Sequence, residues 1–318
     1  MTMQFGLMLP QGWRQDLVGC ADPVAAYETM TRVAKEAESL GFASVWLYDH
    51  FHTVPSPTQA TTFECWTSTA ALARDTTHVR IGQMVTCAGY RPPALLAKMA
   101  STVDVLSHGR LTLGLGAGWY EQEYRAYGYE YPDAPIRLRH LRETIEILFA
   151  MWTQEEATFE GRYFQVRGAI NQPKGAQQPH IPLLIGGSGE QVTLKLVARY
   201  ADACNIGGDV AKIRHKFAVL KAWCERMGRD YASIKRTAMV DLCAIGETAA
   251  AARATIPSFY QSQIEQMHSR WLIGTPEMIR ERVHEYEAAG VQELILYFPA
   301  APHLEALHLF AEACIQEE

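Results

Sequence analysis

The stretch SVWLYD (44–49) ends in an acid and is followed by His50. A histidine there is an ionisable ring at the edge of the core. It serves as a base, an acid or a hydrogen-bond partner of a cofactor ring, or it is a structural histidine held by neighbouring backbone. A second candidate is Gly186-Gly187-Ser188-Gly189, which ends PLLIGG and precedes Glu190 and Gln191. Small residues let backbone N–H groups and the Ser188 hydroxyl approach an anion at a helix start. The alternative is a tight turn that requires glycine. A third is LTLGLGAGWYEQEYRAYGYEYP (111–132), a greasy run that turns into Ala117-Gly118-Trp119 and then displays Glu121, Glu123 and Arg125. Trp119 is a stacking wall or a packing residue. The two glutamates do acid–base work, or they are helix-start charges paired with Arg125.

Several chemistries lack their residues. Gly114, Gly116 and Gly118 do not have the spacing of a dinucleotide fingerprint, and the first two fall inside the strand, where alternation signals close packing in a barrel interior. There is no GxSxG elbow. QFGLMLPQG contains no HxH for a metal-dependent barrel hydrolase, and His50 and His52 have no Cys or His cluster to complete a zinc site, so no metal is expected.

Eight strand candidates position these residues: 4–9, 44–49, 80–87, 111–118, 182–187, 203–208, 236–246 and 293–298. Their continuous hydrophobicity predicts strands buried on both faces of a parallel sheet. Helical patterns alternate with them at 24–40, 93–107, 137–152, 191–200, 210–227, 278–289 and 303–315. Gly41, Gly109, Gly228 and Gly290 stand where helices stop. This βα alternation predicts an α/β fold, a (β/α)8 TIM barrel, as one domain over 1–318 with insertions near 155–180 and 247–270. FEGRYFQV predicts a small hairpin in the first insertion, and the second carries its own helical pattern. In such a barrel the strand carboxyl ends gather the site: Asp49-His50, Val85-Thr86-Cys87, Ala117-Gly118-Trp119 and the turn 186–189. HTVPSPTQATT (52–62) reads as a lid or an ordinary surface loop.

The bulk composition fits that reading. The 318 residues are 48% hydrophobic and 20% charged, with a formal net charge of -6 and no basic stripe, which argues against nucleic acid. No apolar run is long enough to span a bilayer. MTMQFGLMLPQG has no charged leader before its apolar run. Seven cysteines without CxxC spacing point to reduced thiols and a cytoplasmic protein.

VWLYDHF (45–51), RIGQMVTCAGYRPPALLAK (80–98), GRLTLGLGAGWYEQEYRAYG (109–128), RLRHLRETIEIL (137–148) and PLLIGGSGEQVTLKLVARYADACNI (182–206) together resemble the luciferase-like monooxygenase superfamily, in its coenzyme F420-dependent oxidoreductase branch. The resemblance implies a (β/α)8 barrel, a homodimer, a small-molecule substrate and a deazaflavin bound at the strand carboxyl ends, with FMN as the alternative. It makes His50 catalytic and Asp49 the acid beside it. Met84-Val85 matches a non-prolyl cis peptide against the ring, with Thr86 next to it. Ala117, Gly118 and Trp119 match the cofactor-contacting turn, and Gly186, Gly187, Ser188 and Gly189 the phosphate turn. Two departures matter. FMN-using luciferases carry a phosphate-gripping arginine where this chain has Ala117, which tilts the cofactor toward F420. Sugar-phosphate dehydrogenases carry a glutamate where this chain has Trp119, which argues against that substrate. The competing functions are an FMN-dependent monooxygenase served by a separate reductase and a non-catalytic flavin-binding barrel. Substrate specificity falls to loops 11–22, 52–61 and 247–270.

Overall fold

Short strands buried on both faces have one way to satisfy every backbone group, which is to pair on both sides. In a computed structural model describing residues 3–316, eight strands do so by closing on themselves. They are β1 (Gln4–Met8), β2 (Ser44–Leu47), β3 (Arg80–Gln83), β4 (Leu111–Gly116), β5 (Leu183–Gly186), β6 (Ala203–Gly207), β7 (Lys235–Val240) and β8 (Glu293–Tyr297). Their order is β3-β2-β1-β8-β7-β6-β5-β4, all pairs are parallel, and β3 pairs with β4 to close the barrel. The predicted (β/α)8 barrel is the observed fold.

The predicted third strand, 80–87, is interrupted. It stops at Gln83, passes through a cis Met84–Val85 peptide, and resumes as a two-residue bridge, Thr86–Cys87, beside β4. Likewise 236–246 divides into β7 and a separate strand Cys243–Ile245, which pairs with Leu272–Gly274 outside the barrel. The hairpin of the first insertion forms from Ala157–Glu160 and Gln165–Ala169. The second insertion holds three short helices, 249–254, 258–261 and 264–267.

The helices wrap the barrel and bury one stripe each. Pro23–Ser39 starts on Asp22, whose carboxylate accepts from the Ala25 amide at 2.9 Å, and Ala134–Thr153 and Val210–Met227 start on Asp133 and Asp209 in the same way. Gly228 ends its helix in the left-handed region, φ +66°. One helix escaped the sequence reading: Cys65–Asp75, between β2 and β3. Its buried face includes Ser68 and Thr69, so its stripe is not apolar by type. A second, Glu121–Ala126, follows β4 directly.

Gly114 and Gly116 have a packing role. A Cβ on Gly114 would lie 1.8 Å from the Gln83 carbonyl oxygen. Cβ atoms on Gly116 and Gly186 would lie 2.7 and 2.8 Å from Val85 side-chain carbons. The glycines of β4 and β5 therefore make room for the Met84–Val85 excursion of the third strand.

Candidate active site

His50 follows β2 with its ring mostly covered. Its Nδ1 lies 2.7 Å from Glu123 Oε2. Glu123 is fully buried and also accepts from the Phe51 amide at 2.8 Å, the His52 amide at 3.3 Å and the Tyr90 hydroxyl at 3.0 Å. Burial alone would raise this carboxyl, but the hydrogen bond and charge of His50, with the Phe51 and Tyr90 donors, outweigh it and hold Glu123 below the ordinary carboxylate range. An ionised acceptor fixes the proton on Nδ1 and leaves Nε2 for the cleft. Of the two readings of Glu123, the ion pair with Arg125 is not made. Arg125 bonds Glu121, at 2.6 Å. Both acid–base work and a helix-start charge are open to Glu123 in the sequence; its place in the short helix after β4 sets it against His50.

Asp49 is buried beside His50. Arg91 grips both of its oxygens, at 2.7 and 2.9 Å, and the Cys87 amide donates to Oδ2 at 2.8 Å. The same guanidinium donates to Glu64 at 2.7 Å, and Glu64 caps the helix Cys65–Asp75 through the Thr67 amide. The Asp49 carboxylate is thus fully engaged by protein, so this acid contributes to the cleft as a brace. Arg91 was not among the sequence candidates.

A cleft of about 110 Å³ opens among Asp49, His50, Met84, Val85, Thr86, Cys87, Gly118 and Trp119. Trp119 is 63% exposed, stacks on Tyr120 and meets the His50 ring edge-on at 6.0 Å. Gly118 has φ +77°, and a Cβ there would strike Tyr124 and Cys87. The Thr86 hydroxyl is buried in this cleft with no hydrogen-bond partner. An orphaned polar atom beside a bulging backbone is what a ring with polar edges would satisfy, so these residues fit the planar cofactor the sequence implies. Ala117 lines a larger adjoining space of about 500 Å³ together with Arg137, His140 and Tyr124.

The turn 186–189 lies farther along the same rim. The helix it precedes begins only at Thr193, so it does not open the helix directly. Gly187 has φ +123°, and its amide donates to Asn205 O at 3.1 Å. The expectation that this amide serves an anion is therefore corrected: the strand pairing of β5 with β6 already uses it. The Ser188 hydroxyl and the Ser188 and Gly189 amides make no such bond. Among the described residues, no cluster of three metal-ligating side chains occurs, no disulfide joins any of the cysteines, and no helix is long and apolar enough to cross a membrane.

A parallel barrel that gathers a buried glutamate, a histidine and a cleft at its strand carboxyl ends has the layout of a small-molecule site. Residues 3–269 match the model of the luciferase-like monooxygenase family, and the chain belongs to that family. It is 34% identical over 190 residues to an uncharacterized protein of Mycobacterium tuberculosis, an alignment covering 55% of this chain and 66% of that one, just under two thirds. It is 27% identical over 309 residues to an F420-dependent glucose-6-phosphate dehydrogenase of Kineococcus radiotolerans, covering 87% and 89%. Among solved structures, an F420-dependent secondary alcohol dehydrogenase in complex with an F420-acetone adduct superposes with a TM-score of 0.82 at 20% identity, over 98% of both chains, which shows the shared fold. The relatives that carry a functional name are oxidoreductases.

Proposed function

We propose that this enzyme is an F420-dependent oxidoreductase acting on a small organic substrate. The observation that carries the reading is the buried Glu123–His50 pair beside the cleft that holds the orphaned Thr86 hydroxyl. Both curated and structural relatives named for F420 support it, and so does Ala117 where FMN enzymes place an arginine. When bound, the deazaflavin supplies a hydride acceptor or donor. Everything else falls to this chain. Met84, Val85, Thr86, Gly118 and Trp119 receive the ring, and Gly186, Ser188 and Gly189 receive the phosphate, with Gly187 shaping their turn. His50 Nε2 takes or gives the substrate proton that balances the hydride, while Glu123 keeps the imidazole in one tautomer and stabilises its charged form. Asp49 and Arg91 brace the strand end that carries His50. The chain works as one barrel domain and as a homodimer in this reading.

The test is titration of the cofactor-free protein with F420 and with FMN, followed by calorimetry. Tight F420 binding and weak FMN binding are expected. The reverse preference would replace the reading with an FMN-dependent monooxygenase, and binding of neither would remove the flavin-type reading altogether.

A further inference from the structure

A turn rich in glycine stays loose until something outside it holds it, because glycine loses the most freedom on ordering. In the turn 186–189, Gly187 and Gly189 flank Ser188, and both glycines are exposed. The helix that follows begins only at Thr193, and Val192 before it makes no side-chain cap. Two backbone bonds reach the turn: Gly187 N–H donates to Asn205 O at 3.1 Å and Leu194 N–H to Gly189 O at 2.9 Å. Across 187–192, among the described residues, Glu190 is the one position whose side chain is bonded. Its Oε1 accepts from Lys216 Nζ at 2.6 Å, and His215 Nε2 lies 2.9 Å from the same oxygen. Its carbonyl accepts from Trp223 Nε1 at 2.8 Å. All three partners stand on the helix Val210–Met227. The Trp223 ring carries Lys195 of the following helix at 5.3 Å and Arg226 at 5.2 Å from its centre, so the anchor ties both helices behind the turn.

An acid one residue from Gly189 is unexpected beside an anion site, since a bare carboxylate repels a phosphate. Here Lys216, then His215, hold that carboxyl below the ordinary carboxylate range and face its charge. Two cations on one exposed carboxylate leave little repulsion. What remains is the tether. A loop ordered before its ligand arrives spares the ligand that entropy.

We infer that Glu190 is a positioning residue for the cofactor phosphate. Through Lys216, His215 and Trp223 it fixes the turn to the helix Val210–Met227, with the Ser188 hydroxyl and the Ser188 and Gly189 amides set for the anion. The inference rests on the phosphate site of the proposed function, and it holds for any flavin-type cofactor with a phosphate there. Glu190→Ala separates tether from charge, because the two predict opposite signs. Equilibrium affinities are measured on the whole protein for F420 and for the same deazaflavin without its phosphate-bearing side chain. FMN and riboflavin are measured in parallel. In Glu190→Ala the phosphate-bearing member of the pair that binds weakens about 3–10-fold, the range for ordering one or two residues on binding. The phosphate-free member keeps its affinity. Glu190→Gln, which still accepts from Lys216, recovers part of the loss, and Lys216→Met repeats it. Amides of 188–194 exchange faster in ligand-free Glu190→Ala, while its melting temperature stays within about 2 °C of wild type. Tighter or unchanged phosphate binding in Glu190→Ala, or equal weakening of both members, overturns the inference. Tightening in Glu190→Ala with weakening in Lys216→Met would make the lysine the anion's own partner. FMN binding in place of F420 with the same pattern sinks the F420 reading and leaves the tether standing. F420 binding that Glu190→Ala does not touch does the reverse, and binding of neither phosphate compound removes both.

Discussion

At the scale of single residues, the working unit is His50 with the carboxylate behind it. Glu123→Gln keeps size and most hydrogen-bonding capacity but removes the charge. Turnover should fall by about 10²–10⁴-fold, the usual contribution of positioned acid–base groups. A wild-type rate in this variant would make Glu123 a scaffold residue only. His50→Ala should lose rate to the same extent with the fold and cofactor affinity largely kept. If it turns over at the wild-type rate, His50 is structural. Asp16 gives a separate signature. Burial pushes its carboxyl up to about 6, with the Gly12 amide and Arg14 only partly opposing. The folded form therefore binds the proton more tightly than the unfolded chain, whose carboxyl titrates near 3.8. The stability Asp16 contributes is complete below that value and is lost as pH rises through about 6. Denaturant unfolding of wild type and Asp16→Asn across pH 3.5 to 7 should show wild type losing ground to the variant over that window. A constant difference would place Asp16 in solvent.

At the scale of elements, the sequence showed the eight strands and most of the helices because a parallel barrel writes itself as apolar runs ended by glycine. It also offered His50 and the 186–189 turn as candidates, and the Met84–Val85 cis peptide, found in the structure, through resemblance alone. What stayed hidden depends on contacts between distant segments. The helix Cys65–Asp75 buries serine and threonine, so hydropathy does not reveal it, and Thr69 there accepts from Gln83 at 3.2 Å. Arg91 looks like any loop arginine until its fork is seen on Asp49 and Glu64. Removing it in Arg91→Ala strands a buried carboxylate, and equilibrium unfolding should register a loss of about 3–5 kcal/mol. A loss below about 1 kcal/mol would mean that Asp49 finds water instead. The glycines of β4 can be tested in the same assay. Gly114→Ala drives a methyl into the Gln83 carbonyl and should cost about 3 kcal/mol or prevent folding. Gly207→Ala, with nothing within 4 Å and no positive φ, should stay within about 0.5 kcal/mol.

At the scale of the whole molecule, the two ends of the barrel are built to different standards. At the amino end several buried polar groups are paired with one another. Glu293 accepts from Ser44 and pairs with Lys235 at 2.5 Å. Arg80 bonds Leu111 O and Gln177, and Arg110 spends its guanidinium on Thr76, Val79 and Ala73. At the carboxyl end Trp13, Tyr48, His52 and Thr86 each keep a buried polar atom without a partner. The carboxyl end thus keeps polar atoms available to a ligand in the cleft. This asymmetry predicts where ligand energy is felt. Saturating cofactor at about 100 times its dissociation constant adds about 2.7 kcal/mol to stability. For a chain of this size that is a rise of roughly 4 °C in the unfolding temperature. Hydrogen exchange should show the gain unevenly. Amides in 49–53, 84–91, 117–124 and 187–190 should slow strongly through local protection. Those in the segments that lead into the strands at the amino end should change only as far as global unfolding sets their exchange. Protection confined to the amino end, or spread evenly over both, would move the binding site off the strand carboxyl ends and take the roles assigned to His50 and Glu123 with it.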